Sequence, residues 1–160
     1  MRSLGLDIGD KRTGVAISDL HGILATPLTV LASKDEDTLI NEILTLVEQY
    51  NAERIVVGLP RRLNGELGQQ ASKVTAFADK LSWQAQQSNL NELDIQLWDE
   101  RLSTKAAERL KTEFADKRSK LHSSAKRGAA KHSFTAKAEV DAIAAAFILQ
   151  GFLDSHRLEQ

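Results

Sequence analysis

Cysteine is absent from this chain, which excludes thiol catalysis, Cys-based zinc binding and disulfide staples. Charge of either sign is not in excess: the formal net charge is −1, so bulk electrostatics select no partner. No apolar run approaches the roughly 20 residues that a membrane-spanning helix needs. The first residues enter a strand pattern directly, without an h-region or a small-residue cleavage site. A cytoplasmic protein with no membrane partner is expected. The chain has 160 residues at 42% hydrophobic content, enough for one globular domain with a sizeable core.

Residues 2–8 alternate, with Leu4, Leu6 and Ile8 on one face and Ser3, Gly5 and Asp7 on the other. Gly9-Asp10-Lys11-Arg12 reads as a hairpin turn and Thr13 to Ser18 as the returning strand. Asp19 to Gly22 makes a second turn, and Ile23 to Val30 a third strand that Pro27 assigns to an edge. Ser33-Lys34-Asp35-Glu36 has capping-box spacing, and Leu39, Ile40, Ile43, Val47 and Tyr50 follow at helical intervals. Arg54 to Gly58 suits a buried parallel strand. Helical periodicity returns from Leu67 to about Ala85, Asp94 to Asp99 is a fifth strand, and Ser103 or Thr104 can cap another helix.

From Lys117 to Ala138 the composition shifts. Lys117, Arg118, Lys120, Lys126, Arg127, Lys131 and Lys137 occur with no acid among them, which reads as a flexible basic insertion at about 117–138. Order resumes at Glu139, where Val140, Ile143, Ala144, Phe147 and Ile148 mark a final helix. The element order predicts an α/β fold in a single domain over 1–160. Its five-stranded mixed sheet is an antiparallel meander plus two parallel strands, with helices on both faces.

Three acids stand out against this plan. Asp7 ends the first strand, the pair Asp99-Glu100 ends the fifth, and Asp141 lies among apolar residues at the start of the last helix. Parallel strands ending at Asp7, Gly58 and Asp99 would bring these ends to the sheet edge where ligand sites form. Asp141 shares a stripe with Ala144, Ala145 and Ile148, so its carboxylate is expected to face inward, opposite the small Gly5/Gly14/Ala16 face. A lone inward carboxylate is costly. Hard oxygen donors without a Cys/His cluster favour Mg²⁺ or Mn²⁺. The bland alternatives are a strand stop at Asp7, an ion pair at Glu100 and a helix-dipole contact at Asp141. His21, His122, His132 and His156 are expected at the surface. Trp83 and Trp98 are expected to pack, with base stacking as an alternative for Trp98.

Four segments carry a family resemblance: LGLDIGDKRTGVAISD at 4–19, IVVGLPRRLNGELG at 55–68, DERLST at 99–104 and VDAIAAAFILQGFLD at 140–154. In this order they resemble the YqgF/RuvX family of pre-16S rRNA nucleases and Holliday junction resolvases. The resemblance implies an RNase H-like fold, with Asp7, Glu100 and Asp141 as catalytic acids and metal ligands. Lys11 and Arg12 match the family's basic turn, Gly58-Leu59-Pro60 its loop beside the site, and Arg101 the arginine after the paired acids. Two departures are Ser103 in place of the usual Thr and a basic 117–138 segment longer than usual.

The reaction so implied is metal-dependent phosphodiester hydrolysis with two Mg²⁺ or Mn²⁺ ions, in processing of the 5′ end of pre-16S rRNA. Lys11, Arg12, Arg61 and Arg62 are candidates to hold backbone phosphates, as are Lys126, Arg127 and Lys131 in the basic segment. The expected partner is structured RNA ahead of a DNA junction, and the expected assembly a monomer or weak homodimer. A Holliday junction resolvase and a non-catalytic nucleic-acid-binding module are the alternatives. Asp7-Ile8-Gly9 followed by Gly14-Val15-Ala16 also resembles the phosphate hairpin of sugar-kinase-like ATPases, but nothing after residue 60 supplies their second hairpin or adenosine motif.

Overall fold

The computed structural model describes residues 1–60, 68–99 and 132–157, without the side chains of 132–138. Alternating apolar and small residues form β1 (Ser3–Ile8) and β2 (Thr13–Ser18). They are joined by a turn in which the Gly9 N–H donates to the Arg12 carbonyl at 2.9 Å. In the next turn the Asp19 Oδ1 accepts from the Ile23 N–H at 2.7 Å and Gly22 takes φ +68°, leading into β3 (Ala25–Leu31). Pro27 lies on an edge strand, as expected, beside a register shift between Val15 and Ala16.

Helix α1 (Glu36–Tyr50) is capped by Asp35, not through the Ser33 spacing. The Asp35 Oδ1 accepts from the Thr38 N–H at 2.8 Å, while the Ser33 hydroxyl donates to Glu42 at 2.6 Å. A charged carboxylate is favoured at the positive end of the helix, and here it displaces the serine. Strand β4 (Arg54–Leu59), helix α2 (Gln69–Gln87) and strand β5 (Asp94–Asp99) follow. Helix α3 spans His132–Arg157. It takes in 132–138, the end of the segment expected to be an insertion, where Ala136 and Ala138 are good helix formers. Residues 117–131 lie outside the described residues, as does the helix expected after Ser103 or Thr104.

The sheet order is β3-β2-β1-β4-β5; β1 to β3 form an antiparallel meander, and β4 and β5 run parallel to β1. Leu4, Leu6, Val15, Ile55 and Val57 form one core with Ile40, Ile43, Val74 and Leu81 of α1 and α2. On the other face Ala16 and Val56 pack against Ala145, Leu149 and Phe152 of α3. The buried stripe of α3 keeps Ala145 and Ile148 of the expected one and otherwise differs. Ala142, Ala145, Ala146, Leu149, Phe152 and Leu153 are buried with Ile148, and Val140 is exposed. The reason lies in the sheet: a Cβ at Gly5 would fall 2.7 Å from the Leu149 Cβ and 2.9 Å from the Ala145 carbonyl oxygen. The helix backbone approaches so closely that alanines, not large side chains, fill the contact.

Trp98 packs edge-on against Phe152, with ring centroids 5.7 Å apart. Trp83, expected to pack, is instead exposed on α2, because the buried stripe there runs through Phe77, Leu81 and Ala85. His156 is half-buried and stacked 4.0 Å from Phe152, whereas His21 is at the surface. Among the described residues no helix is long and apolar enough to cross a membrane.

Candidate active site

Because β1, β4 and β5 are parallel, their carboxyl ends share one edge of the sheet. Near that edge Ile8 of β1 packs against the α1/α2 core, so the preceding Asp7 points to the opposite face, toward α3. The cross-strand partner of Asp7 is Gly14. A Cβ on Gly14 would lie 1.9 Å from the carbonyl oxygen of Asp141 and 2.3 Å from its carbonyl carbon. No side chain fits there. Directly opposed residues hold their Cβ positions about 4.5–5.5 Å apart, which puts the Asp7 Cβ within about 7 Å of the Asp141 carbonyl oxygen. The Asp141 backbone therefore lies over the hairpin face that carries Asp7, the close approach expected from Ala144 and Ala145 opposite Gly5, Gly14 and Ala16.

The Asp141 side chain is 28% exposed, but its Oδ2 is fully buried and accepts no hydrogen bond. The Arg12 Nε lies 3.0 Å from that oxygen. This is an ion pair whose geometry does not align a hydrogen bond. Arg12 comes from the β1–β2 turn, and its charge offsets the cost of a carboxylate turned inward. Sequence reasoning assigned Arg12 to phosphate contact and missed this pairing, since side-chain direction within a turn has no periodic signature.

Lys11, on the same turn, is exposed. A cleft of about 160 Å³ beside it is lined by Lys11, Arg12, Ser33 and Lys34 among others. Lys34 is a further cation the motifs did not single out. Asp99 ends β5 opposite Leu59. Since Trp98 faces α3, strand alternation turns Asp99 to the other face, away from Asp7. Glu100, Arg61, Arg62, Arg101, Lys126, Arg127 and Lys131 lie outside the described residues.

Among the described residues no three acids or histidines gather into a metal-sized group. Asp7 and Asp141 provide two hard oxygen donor groups, and the buried Oδ2 of Asp141 lacks a hydrogen-bond donor. This donor chemistry fits a Mg²⁺ or Mn²⁺ ion rather than zinc.

The strand order and the helices on both faces define an RNase H-like fold. The chain belongs to the RuvX family, whose model, described as Holliday junction resolvase, matches residues 1–155. Relatives named as candidate pre-16S rRNA nucleases include one from Clostridium botulinum strain Hall, 41% identical over 155 residues, covering 97% of this chain and 98% of the relative. Another, from Desulforamulus reducens, is 39% identical over 155 residues with the same coverage. Among solved structures, Thermus thermophilus RuvC in complex with a Holliday junction substrate superposes with TM-score 0.54 at 14% identity, covering 98% of this chain and 96% of that one. The Fowlpox virus resolvase bound to Holliday junction DNA gives TM-score 0.52 at 15% identity, covering 98% and 99%. At these identities the structural likeness establishes the fold. Family and relatives together make the chain a nuclease, a hydrolase of phosphodiester bonds that binds nucleic acid.

Proposed function

We propose that this nuclease is metal-dependent and processes the 5′ end of pre-16S rRNA in the cytoplasm, with Asp7, Glu100 and Asp141 as its acids. The observation that carries the reading is the seating of the Asp141 peptide on Gly14, directly across from Asp7. The RNA substrate rests on the names of relatives that match this chain nearly end to end. In this reading Asp7 and Asp141 hold divalent cations from one face of the hairpin and Glu100 completes the donor set. Bound there, two such cations would supply a reactive water at neutral pH and neutralise charge on the leaving oxygen. Exposed Lys11 would hold a backbone phosphate, as would Arg61, Arg62, Arg101, Lys126, Arg127 and Lys131. The domain acts as a monomer or weak dimer.

The second reading is a four-way DNA junction resolvase, favoured by the description of the family model. Purified protein with Mn²⁺ should be given end-labelled rRNA precursor and a four-way DNA junction in parallel. We expect cleavage of the precursor near its mature 5′ end. Symmetric paired nicks in the junction alone would establish the second reading, and cleavage of neither would sink both.

A further inference from the structure

We propose that Arg12 is a positioning residue for Asp141, presenting that carboxylate to a divalent cation. The inference rests on the reading of Asp141 as an active-site acid. The Asp141 Oδ2 is buried and accepts no hydrogen bond, and the Arg12 Nε is 3.0 Å away. Charge, not hydrogen bonding, therefore restrains the carboxylate at this oxygen. The 28% exposure of the side chain lies on its other atoms, so solvent reaches the acid while Oδ2 stays beside Arg12.

Both ends of this arrangement refer to one hairpin. The Arg12 carbonyl accepts from the Gly9 N–H at 2.9 Å, and a Cβ on Gly9 would lie 2.6 Å from that oxygen. Two residues on, Gly14 seats the Asp141 peptide, and Gly14 is paired with Asp7. The hairpin thus sets the Asp7 strand end, the Asp141 backbone and the cation that orients the Asp141 side chain. A guanidinium ion-paired at its Nε carries two further nitrogens, which a lysine would not offer. Partners that orient a metal-binding carboxylate usually change metal affinity by about 10–100-fold when removed.

The test is Mn²⁺ binding to the full-length protein, followed by the electron paramagnetic resonance signal of free Mn²⁺, with no substrate present. Arg12→Ala should weaken Mn²⁺ binding by about 10-fold or more, and Arg12→Lys should restore part of it. In an Asp141→Asn background Arg12→Ala should cause no further loss, because the residue acts through that carboxylate. Arg12→Gln substitutes if the alanine variant does not fold, as judged by its melting curve. Unchanged or tightened Mn²⁺ binding in the Arg12 variants would overturn the proposal, and reduced nucleic-acid affinity alongside it would make Arg12 a phosphate contact. Wild-type protein that binds no Mn²⁺, or binds it regardless of Asp141→Asn, would instead overturn Asp141 as an active-site acid and this inference with it. An Arg12 effect that persists undiminished in Asp141→Asn would assign Arg12 to another ligand and end the positioning role alone.

Discussion

Gly14 of β2 and Asp141 of α3 compete for one volume: the carbonyl oxygen of Asp141 sits 1.9 Å from where an alanine Cβ at position 14 would be. The obstruction is backbone, so no rotamer change relieves it. To admit a methyl group the helix must move off the sheet at the point where it carries the acid.

Gly14→Ala should therefore destabilise the fold by about 1–3 kcal/mol, the usual range for overpacking, and reduce cleavage through displacement of Asp141. Gly5→Ala meets the Leu149 Cβ at 2.7 Å and the Ala145 oxygen at 2.9 Å, a less severe overlap. Urea unfolding should rank Gly14→Ala below Gly5→Ala and both below wild type. A Gly14→Ala protein as stable and active as wild type would contradict the packing described.

Asp7→Asn and Asp141→Asn should each lower the cleavage rate by about 10²–10³-fold, the scale of deleting one electrostatic stabiliser of a transition state. Acids acting as one unit do not add, so the double variant should be hardly worse than either single one. In wild type Mn²⁺ should raise the melting temperature, by linkage worth about 2.7 kcal/mol at a hundredfold excess over Kd. Asp7→Asn should lose most of that rise, and ATP should cause none. Differential scanning fluorimetry reads both.

Asp35 links helix capping to pH. The Thr38 N–H, helped by the Thr38 hydroxyl, holds the Asp35 carboxyl below the usual carboxylate range. A folded-state pKa below the unfolded one gives stability that is full above the unfolded value and is lost as pH falls through the folded value. Asp35→Ala should accordingly melt lower than wild type at pH 7. The gap should narrow as pH drops below about 3.9, the unperturbed aspartate value. A gap independent of pH would mean that the cap acts without its charge.

Phe152 anchors the second core. Trp98 meets its edge, His156 stacks on it, and the Arg54 guanidinium lies 5.1 Å from its centroid. Phe152→Ala should cost about 3–5 kcal/mol, measurable as a lower urea midpoint. Trp98 should also shift its emission to the red as water reaches it. Exposed Trp83 contributes a constant background to that signal.

Most of the architecture was legible because two periodicities carried it. The alternation of Leu4, Leu6 and Ile8 and the helical spacing of Ile40, Ile43 and Val47 each mark one buried face, and Pro27 marked the edge strand. In α3 the pattern held in part: Ala145 and Ile148 are buried as expected, whereas Val140 is exposed and the alanines Ala142 and Ala146, which apolar size passes over, are buried against the glycine-lined sheet. Hydrophobicity ranks side chains by size, whereas a close helix–sheet approach selects against size. The Ser33 cap failed for a related reason: Asp35 competes for the same end of the helix, and spacing alone cannot rank two acceptors. The convergence of Asp7 and Asp141 on one sheet face was legible from their setting. The Arg12–Asp141 pair was not, because a turn residue's reach depends on tertiary placement.

The seating of α3 on the β1–β2 hairpin has a temporal consequence. Synthesis runs from the amino end, so Asp7 leaves the ribosome long before Asp141 exists. At about 5–20 residues per second the interval is roughly 7 to 27 seconds. During it the nascent chain lacks Asp141 and carries an unfilled glycine groove. With Asp7, Glu100 and Asp141 as the proposed acids, catalytic competence arrives only with the last helix, and a chain truncated before Asp141 is harmless to the ribosome that makes it.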